Sequence, residues 1–162
     1  MSEPLTITAA VLGDLDRELA ATRRVLEALP DGAWNFRPRA GAWSFGDLAN
    51  HLVELTFWLQ TVLDRDEFDA AAGSEGPAAA DGREQVLRAF DGRAALVRAA
   101  TGPMDAARLG ADWALRDGST VVFRARRAEV LRRCLNHLIH HRGQLVLYVR
   151  MQGIAPPLLY EG

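Results

Sequence analysis

Apolar residues recur along this chain at steps of three, four and seven, the mark of helices that bury one stripe. Leu12, Leu15, Leu19, Leu26 and Leu29 form the first series and predict a helix over residues 5–29, stopped by Pro30-Asp31-Gly32. A loop containing Trp34, Pro38 and Gly41 follows. Ser44 then precedes a second run, with Asp47 three positions on in the spacing of a capping box. Leu48, His51, Leu52, Leu55, Trp58, Leu59 and Val62 carry that helix to about residue 66. Residues 69–81 lose the pattern and read as a flexible Ala/Gly linker. Asp81 and Glu84 repeat the cap spacing before Val86, Leu87, Phe90 and Val97, a third helix ending at Thr101-Gly102-Pro103.

The stretch that follows is different in kind. Trp113-Ala-Leu-Arg and Ser119-Thr-Val-Val-Phe flank Asp117-Gly118, a dipeptide suited to a tight turn, so a small hairpin or irregular extended segment is expected. A long fourth helix then runs from about residue 126 to Gln152 through Val130, Leu131, Cys134, Leu135, Leu138, Leu145 and Val149, with Gly153 and Pro156-Pro157 as its stop. The expected fold is all-α: a four-helix bundle with a long crossover, so that neighbouring helices need not alternate strictly up and down, and a small hairpin before the last helix.

Composition narrows this picture. A chain of 162 residues with 49% hydrophobic content suits one domain, taken here as residues 1–162. The net charge of −2 offers no footprint for nucleic acid or an anionic membrane. No apolar run approaches the roughly 20 residues that span a bilayer, and the N-terminus lacks the pattern of a signal peptide, so a soluble, cytoplasmic protein is expected. Cys134 is the single cysteine, and stability must come from packing rather than disulfides.

Chemistry enters with the histidines. The chain has four, His51 in the second helix and His137, His140 and His141 in the fourth. At about 100° per residue, His137 and His141 differ by only about 40° in azimuth and can address one ion. His140 competes, because a spacing of three also brings imidazoles together. Helical phase chooses between them. With His137 at zero, Val130, Leu131, Cys134, Leu138, Leu145 and Val149 fall at roughly 20° to 120°; His141 lies among them, whereas His140 falls near 300° on the polar flank. His51 shares the stripe of Leu48, Leu55, Trp58 and Val62 and is aimed at the bundle centre. Three imidazoles suit one divalent transition metal, zinc or nickel foremost, with iron, manganese or copper admissible, and they leave a coordination position open.

The run His137-Leu-Ile-His-His-Arg-Gly-Gln-Leu145, preceded by Trp43-Ser-Phe-Gly-Asp-Leu-Ala-Asn-His51 and followed by Gly153 and Pro156-Pro157, resembles the DinB-like (DinB/YfiT) superfamily. The resemblance follows nearly the whole chain in element order. It implies a four-helix bundle holding a divalent metal through three histidines, which correspond to His51, His137 and His141. It also implies metal-dependent chemistry with low-molecular-weight bacterial thiols such as mycothiol or bacillithiol, or hydrolysis, with maleylpyruvate isomerase-like proteins among the relatives. The partners so implied are a small-molecule thiol and an electrophile, and a homodimer is common in the family. The alternative is a non-catalytic metal-binding protein of the stress response.

Supporting residues are secondary candidates. Gln144 and Tyr148 fall within about 20° of His137 and can border the open position. Glu54, three residues after His51, can orient an imidazole or accept a proton. Asn50 and Asn136 each precede a histidine and are discounted. Cys134 is read as a small core residue more readily than as a fourth ligand, Arg142 as a surface or capping ion-pair partner, and the four tryptophans as core before substrate mouth. Gly143 inside a helix suggests close packing of another backbone.

Overall fold

A computed structural model describes residues 6–73 and 76–160. The chain is mostly helical, and four long helices carry the core: α2 (Leu15–Glu27), α3 (Phe45–Asp64), α4 (Arg83–Thr101) and α6 (Arg127–Met151). Two short helices, α1 (Ile7–Leu12) and α5 (Ala106–Gly110), and three strands, β1 (Glu67–Asp69), β2 (Asp112–Asp117) and β3 (Thr120–Arg126), complete it. The expected first helix is thus two pieces. Gly13 and Asp14, both poor helix formers, separate them, and residue 5 lies outside the described residues.

Pairwise contacts give each helix its direction. Phe45 meets Tyr148, His51 meets His137 and His141, and the carbonyl of Val62 meets Arg127, so α3 and α6 are antiparallel. Arg23 pairs with Asp91 and Arg98 with Asp16, which makes α2 and α4 antiparallel as well. Asn50 meets Ala80 and Gln60 meets Arg93, so α3 and α4 run parallel. Parallel neighbours require the chain to travel back the length of the bundle between them. That crossover is the segment read from sequence as a flexible linker, and much of it is ordered. It contributes β1, then a 3-10 turn at Ala70–Ala72, and ends in a buried Ala80 whose backbone N–H and C=O are both taken by the amide of Asn50, at 2.7 and 2.9 Å.

The hairpin is present but is part of a three-stranded sheet in the order β1-β2-β3, with β1 parallel and β3 antiparallel to the central β2. The fold is therefore not purely α, because three residues of the crossover add a strand that no local pattern announces. The turn also sits one residue later than expected. Asp117 pairs with Thr120, and the loop is Gly118-Ser119 with Gly118 at φ 56, the left-handed conformation a first loop position of this type needs. Asp69 ties crossover to hairpin by accepting the N–H of Gly118 at 2.9 Å.

The ends of α3 have different anchors. Its first turn carries the expected capping box, Ser44 accepting from the N–H of Asp47 at 3.0 Å while Asp47 accepts from the N–H of Ser44 at 2.8 Å. The last carbonyls of a helix lack partners within it. Here Arg127, only 1% exposed, donates to the carbonyls of Val62 and Arg65 at 2.6 and 2.7 Å, to that of Arg108 at 3.1 Å, and to Asp66. By contrast α4 starts at Arg83 on Gly82, with no side-chain cap, so the expected cap at Asp81 does not form.

Arg142 is a second buried arginine, 1% exposed, and not the surface partner expected of it. Its guanidinium meets the buried carboxylate of Glu18 at 2.6 Å and the Glu18 carbonyl at 3.0 Å, and the hydroxyl of Tyr160 bridges the two side chains. One turn of α2 is thereby fastened to α6 and to the C-terminal segment. Gly143, next in sequence, is exposed with nothing within 4 Å of where a Cβ would stand, so no neighbouring backbone explains it.

Candidate metal centre

His51 projects from the second turn of α3, and His137 and His141 from successive turns of the antiparallel α6. Their Nε2 atoms converge. His137 Nε2 lies 2.8 Å from His141 Nε2 and 3.4 Å from His51 Nε2, and all three atoms fall within 4.8 Å of one another. An ion about 2.0–2.1 Å from each nitrogen would impose edges of about 3.3–3.4 Å in a tetrahedral and about 2.9 Å in an octahedral arrangement. The two shorter separations match these values.

Hydrogen bonds on the far side of two rings set what the converging atoms offer. Glu54 Oε2 lies 2.9 Å from His51 Nδ1, and a carboxylate accepts, so His51 carries its proton on Nδ1 and a lone pair on Nε2. Gln144 Oε1 lies 2.9 Å from His141 Nδ1, while its Nε2 lies 3.1 Å from His140 Nε2. That amide accepts from His141 and donates to His140, which again leaves a lone pair on His141 Nε2. Two lone pairs thus face His137 Nε2 at short range. One proton on His137 can satisfy only one of them, whereas a cation among the three satisfies all. This donor set fits a divalent transition metal.

Burial, reinforced by repulsion from His51 and His140, holds the His137 imidazole below its usual range. Burial likewise lowers His141, partly opposed by its bond to Gln144. Both rings are therefore neutral, the form a metal requires, at neutral pH.

The site is not in the bundle centre, as the inward stripe suggested, but at the rim. His137 is exposed and His51 and His141 are half-buried, whereas their helix neighbours Leu48, Leu52 and Leu138 are buried in the core. His137 stands at the edge of the apolar arc of α6 and His141 just inside it, and a position near that edge between two helices faces the groove rather than the axis. Over the cluster lies Trp43, 45% exposed, stacked on His141 at 5.3 Å and 11° and edge-on to His51 at 5.1 Å. It occupies the residue just before the cap of α3, from which a side chain folds back over the first turns; that position was the available signal for its role.

The other candidates sort plainly. His140 is outside the cluster, exposed and edge-on to His141. Tyr148 packs edge-on against Phe36 and Phe45 at the start of α3. Cys134 is not among the converging donors, and burial pushes its thiol up to about 11. Asn50, discounted on helical phase, lines the cleft and clamps the crossover there.

Two cavities meet at the histidines and share His51. One, of about 670 Å³, is mixed in character, lined by the polar Asp47, Asn50, His51 and Glu54 and by Trp43 and residues 76–79 of the crossover. Its Asp47 carboxyl is held below the usual range chiefly by the backbone N–H of Ser44. The other, of about 310 Å³, lies toward the hairpin between Trp58, Leu115, Trp113, Phe123, Cys134 and His137.

The model of the DinB superfamily matches residues 14–145, a span that contains all three histidines. The chain belongs to the DinB superfamily. Solved DinB structures share its fold. A DinB-like protein of Bacillus subtilis superposes with a TM-score of 0.73 at 15% identity, covering 94% of this chain and 98% of its own. A DinB-family protein of Exiguobacterium sibiricum gives 0.69 at 19% identity, with 97% and 100% covered, and a DinB-like protein of Bacillus cereus gives 0.68 at 19%, with 93% and 95%. No curated protein shows significant sequence similarity. Among the described residues no helix is long and apolar enough to cross a membrane.

Proposed function

We propose that this DinB-superfamily protein is a metal-dependent enzyme in which His51, His137 and His141 hold one divalent transition metal, zinc or nickel, and that it joins a low-molecular-weight thiol to a small electrophile. The observation that carries this reading is the convergence of three Nε2 atoms at 2.8 and 3.4 Å with the opposite nitrogens of two rings already committed to Glu54 and Gln144. Such a bound ion supplies Lewis acidity that brings the ionisation of a thiol or water toward neutral pH. Three protein donors at a solvent-accessible rim leave room for a substrate.

The chain's own groups do the rest. Glu54 and Gln144 hold two rings in orientation and tautomer. Trp43 covers the cluster and limits the approach of water from that side. The thiol proton passes to solvent at the exposed rim, while Glu54, half-exposed at the cleft wall behind His51, keeps hold of that ring. A sulfur–carbon bond forms, the bond from that carbon to its leaving group breaks, and the proton departs with the leaving group through solvent.

Elemental analysis after reconstitution tests the binding half. Wild type and His140→Ala are expected to hold one equivalent, and His51→Ala and His141→Ala less than a tenth of it. Equal metal in all four proteins, or none in any, overturns the site. Incubating the loaded protein with a panel of bacterial thiols and electrophiles tests the catalytic half, where metal-dependent thioether is expected. No product across the panel would leave a binding protein without turnover.

A further inference from the structure

The smaller cavity has the character of a substrate compartment. Its walls come from three separate elements: Trp58 from α3, Cys134 from α6, and Trp113, Leu115 and Phe123 from the sheet. Two of the three converging histidines, His51 and His137, stand at its edge. Its one charged neighbour is committed elsewhere, since Arg133 pairs with Glu129 and lies over the Phe123 ring at 5.0 Å. The Cys134 thiol, held protonated by burial, adds no charge either. Trp113, 3% exposed, forms part of the wall, and its Nε1–H is the sole buried side-chain polar atom without a partner among the described residues. That nitrogen has essentially no accessible surface, so the ring and not its N–H is what Trp113 offers the cavity.

We infer that this cavity holds the apolar body of a neutral aryl or alkyl electrophile, with the reacting carbon at the His51–His137 edge. The inference rests on the thiol-transfer reading above and names the class of its second substrate. About 310 Å³ is roughly twice a cavity known to admit benzene, so one substituted ring fits and a peptide segment does not. Away from the histidines the walls carry no free charge, which favours an apolar body over an ionic one in that part of the cavity. Polar cosubstrate and apolar electrophile would then approach the histidines from opposite sides, since the larger cavity carries Asp47, Asn50 and Glu54.

The test uses 4′-fluoroacetophenone, a neutral aryl ketone that is not turned over, followed by its ¹⁹F resonance and by its effect on alkylation of Cys134, the only cysteine in the chain. Saturable binding is expected to metal-free and zinc-loaded protein alike, together with at least fivefold slower labelling of Cys134 by iodoacetamide. Cobalt loading should broaden the bound line further, because the ring sits beside the histidines. Cys134→Phe, which fills the cavity, is expected to weaken binding at least tenfold, and Leu115→Phe serves as a second filler if that variant fails to fold. Unprotected Cys134 in wild type, or binding indifferent to both fillers, overturns the assignment. A wild type that takes up one metal ion and leaves Cys134 unprotected fails on the cavity alone; one that binds the ketone but takes up no metal fails on the metal reading alone.

Discussion

Replacing Arg142 by Met is expected to cost far more than its place in an exposed-looking HHRGQ run suggests. The guanidinium is 1% exposed, meets the Glu18 carboxylate at 2.6 Å and the Glu18 carbonyl at 3.0 Å, and bonds the Tyr160 hydroxyl. Removing it strands a buried carboxylate with one remaining donor, Tyr160 at 3.0 Å. Breaking a buried pair from one side costs about 3–5 kcal/mol, whereas truncating a solvated surface pair costs about 0–1 kcal/mol. For a protein of this size, each kcal/mol lowers the melting temperature by about 2–4 °C, so a fall of about 10 °C is expected for Arg142→Met and a similar fall for Glu18→Met. The double variant removes both charges together and should lie within about 1 kcal/mol of wild type, because two apolar side chains fill the space without an orphaned ion. Urea denaturation of the metal-free protein in chelator measures this without the added stabilisation of a bound ion. An Arg142→Met loss below about 1 kcal/mol, or a double variant as unstable as the sum of the singles, would refute the buried-pair account.

Three further outcomes follow from the same geometry. Glu54→Ala and Gln144→Ala should each weaken metal binding by about 10- to 100-fold in a competition titration while leaving the three imidazoles in place. His137 and His141 ionise below the usual imidazole range in the folded chain, so the unfolded chain takes up protons first; stability of the metal-free protein should therefore be constant above about pH 7 and fall as pH drops through about 6.5, with a slope that His137→Ala/His141→Ala reduces in a pH series of urea melts. Gly143→Ala, at a helical position with open space around the new methyl, should stabilise the protein by up to about 1 kcal/mol without changing metal content.

Much of the architecture is legible in residue spacing because helices bury one stripe. The four long helices, the Ser44–Asp47 cap and the phase of His141 against His140 all follow from it. What escapes is non-local. Strand β1 exists because Glu67, Phe68 and Asp69 meet β2 across more than forty residues of chain, and no alternation in three residues can signal that. Arg142 reads as a surface partner because arginine usually is one; its burial, like that of Arg127, depends on carbonyls and a carboxylate supplied by distant segments. Trp43 reads as core because tryptophan usually is, and only the fold-back at the start of α3 sets it over the histidines.

The clamp of Asn50 on Ala80 has a bearing on how such a protein diversifies. The crossover segment walling the larger cleft is secured by its main chain, through both polar atoms of one peptide residue, rather than by the side chains of residues 76–79. Those side chains can be changed without breaking the clamp, while the histidines stand on helices braced by Arg127 and Arg142. What walls the cleft and what holds the histidines thus lie on different stretches of one chain, joined by a single asparagine.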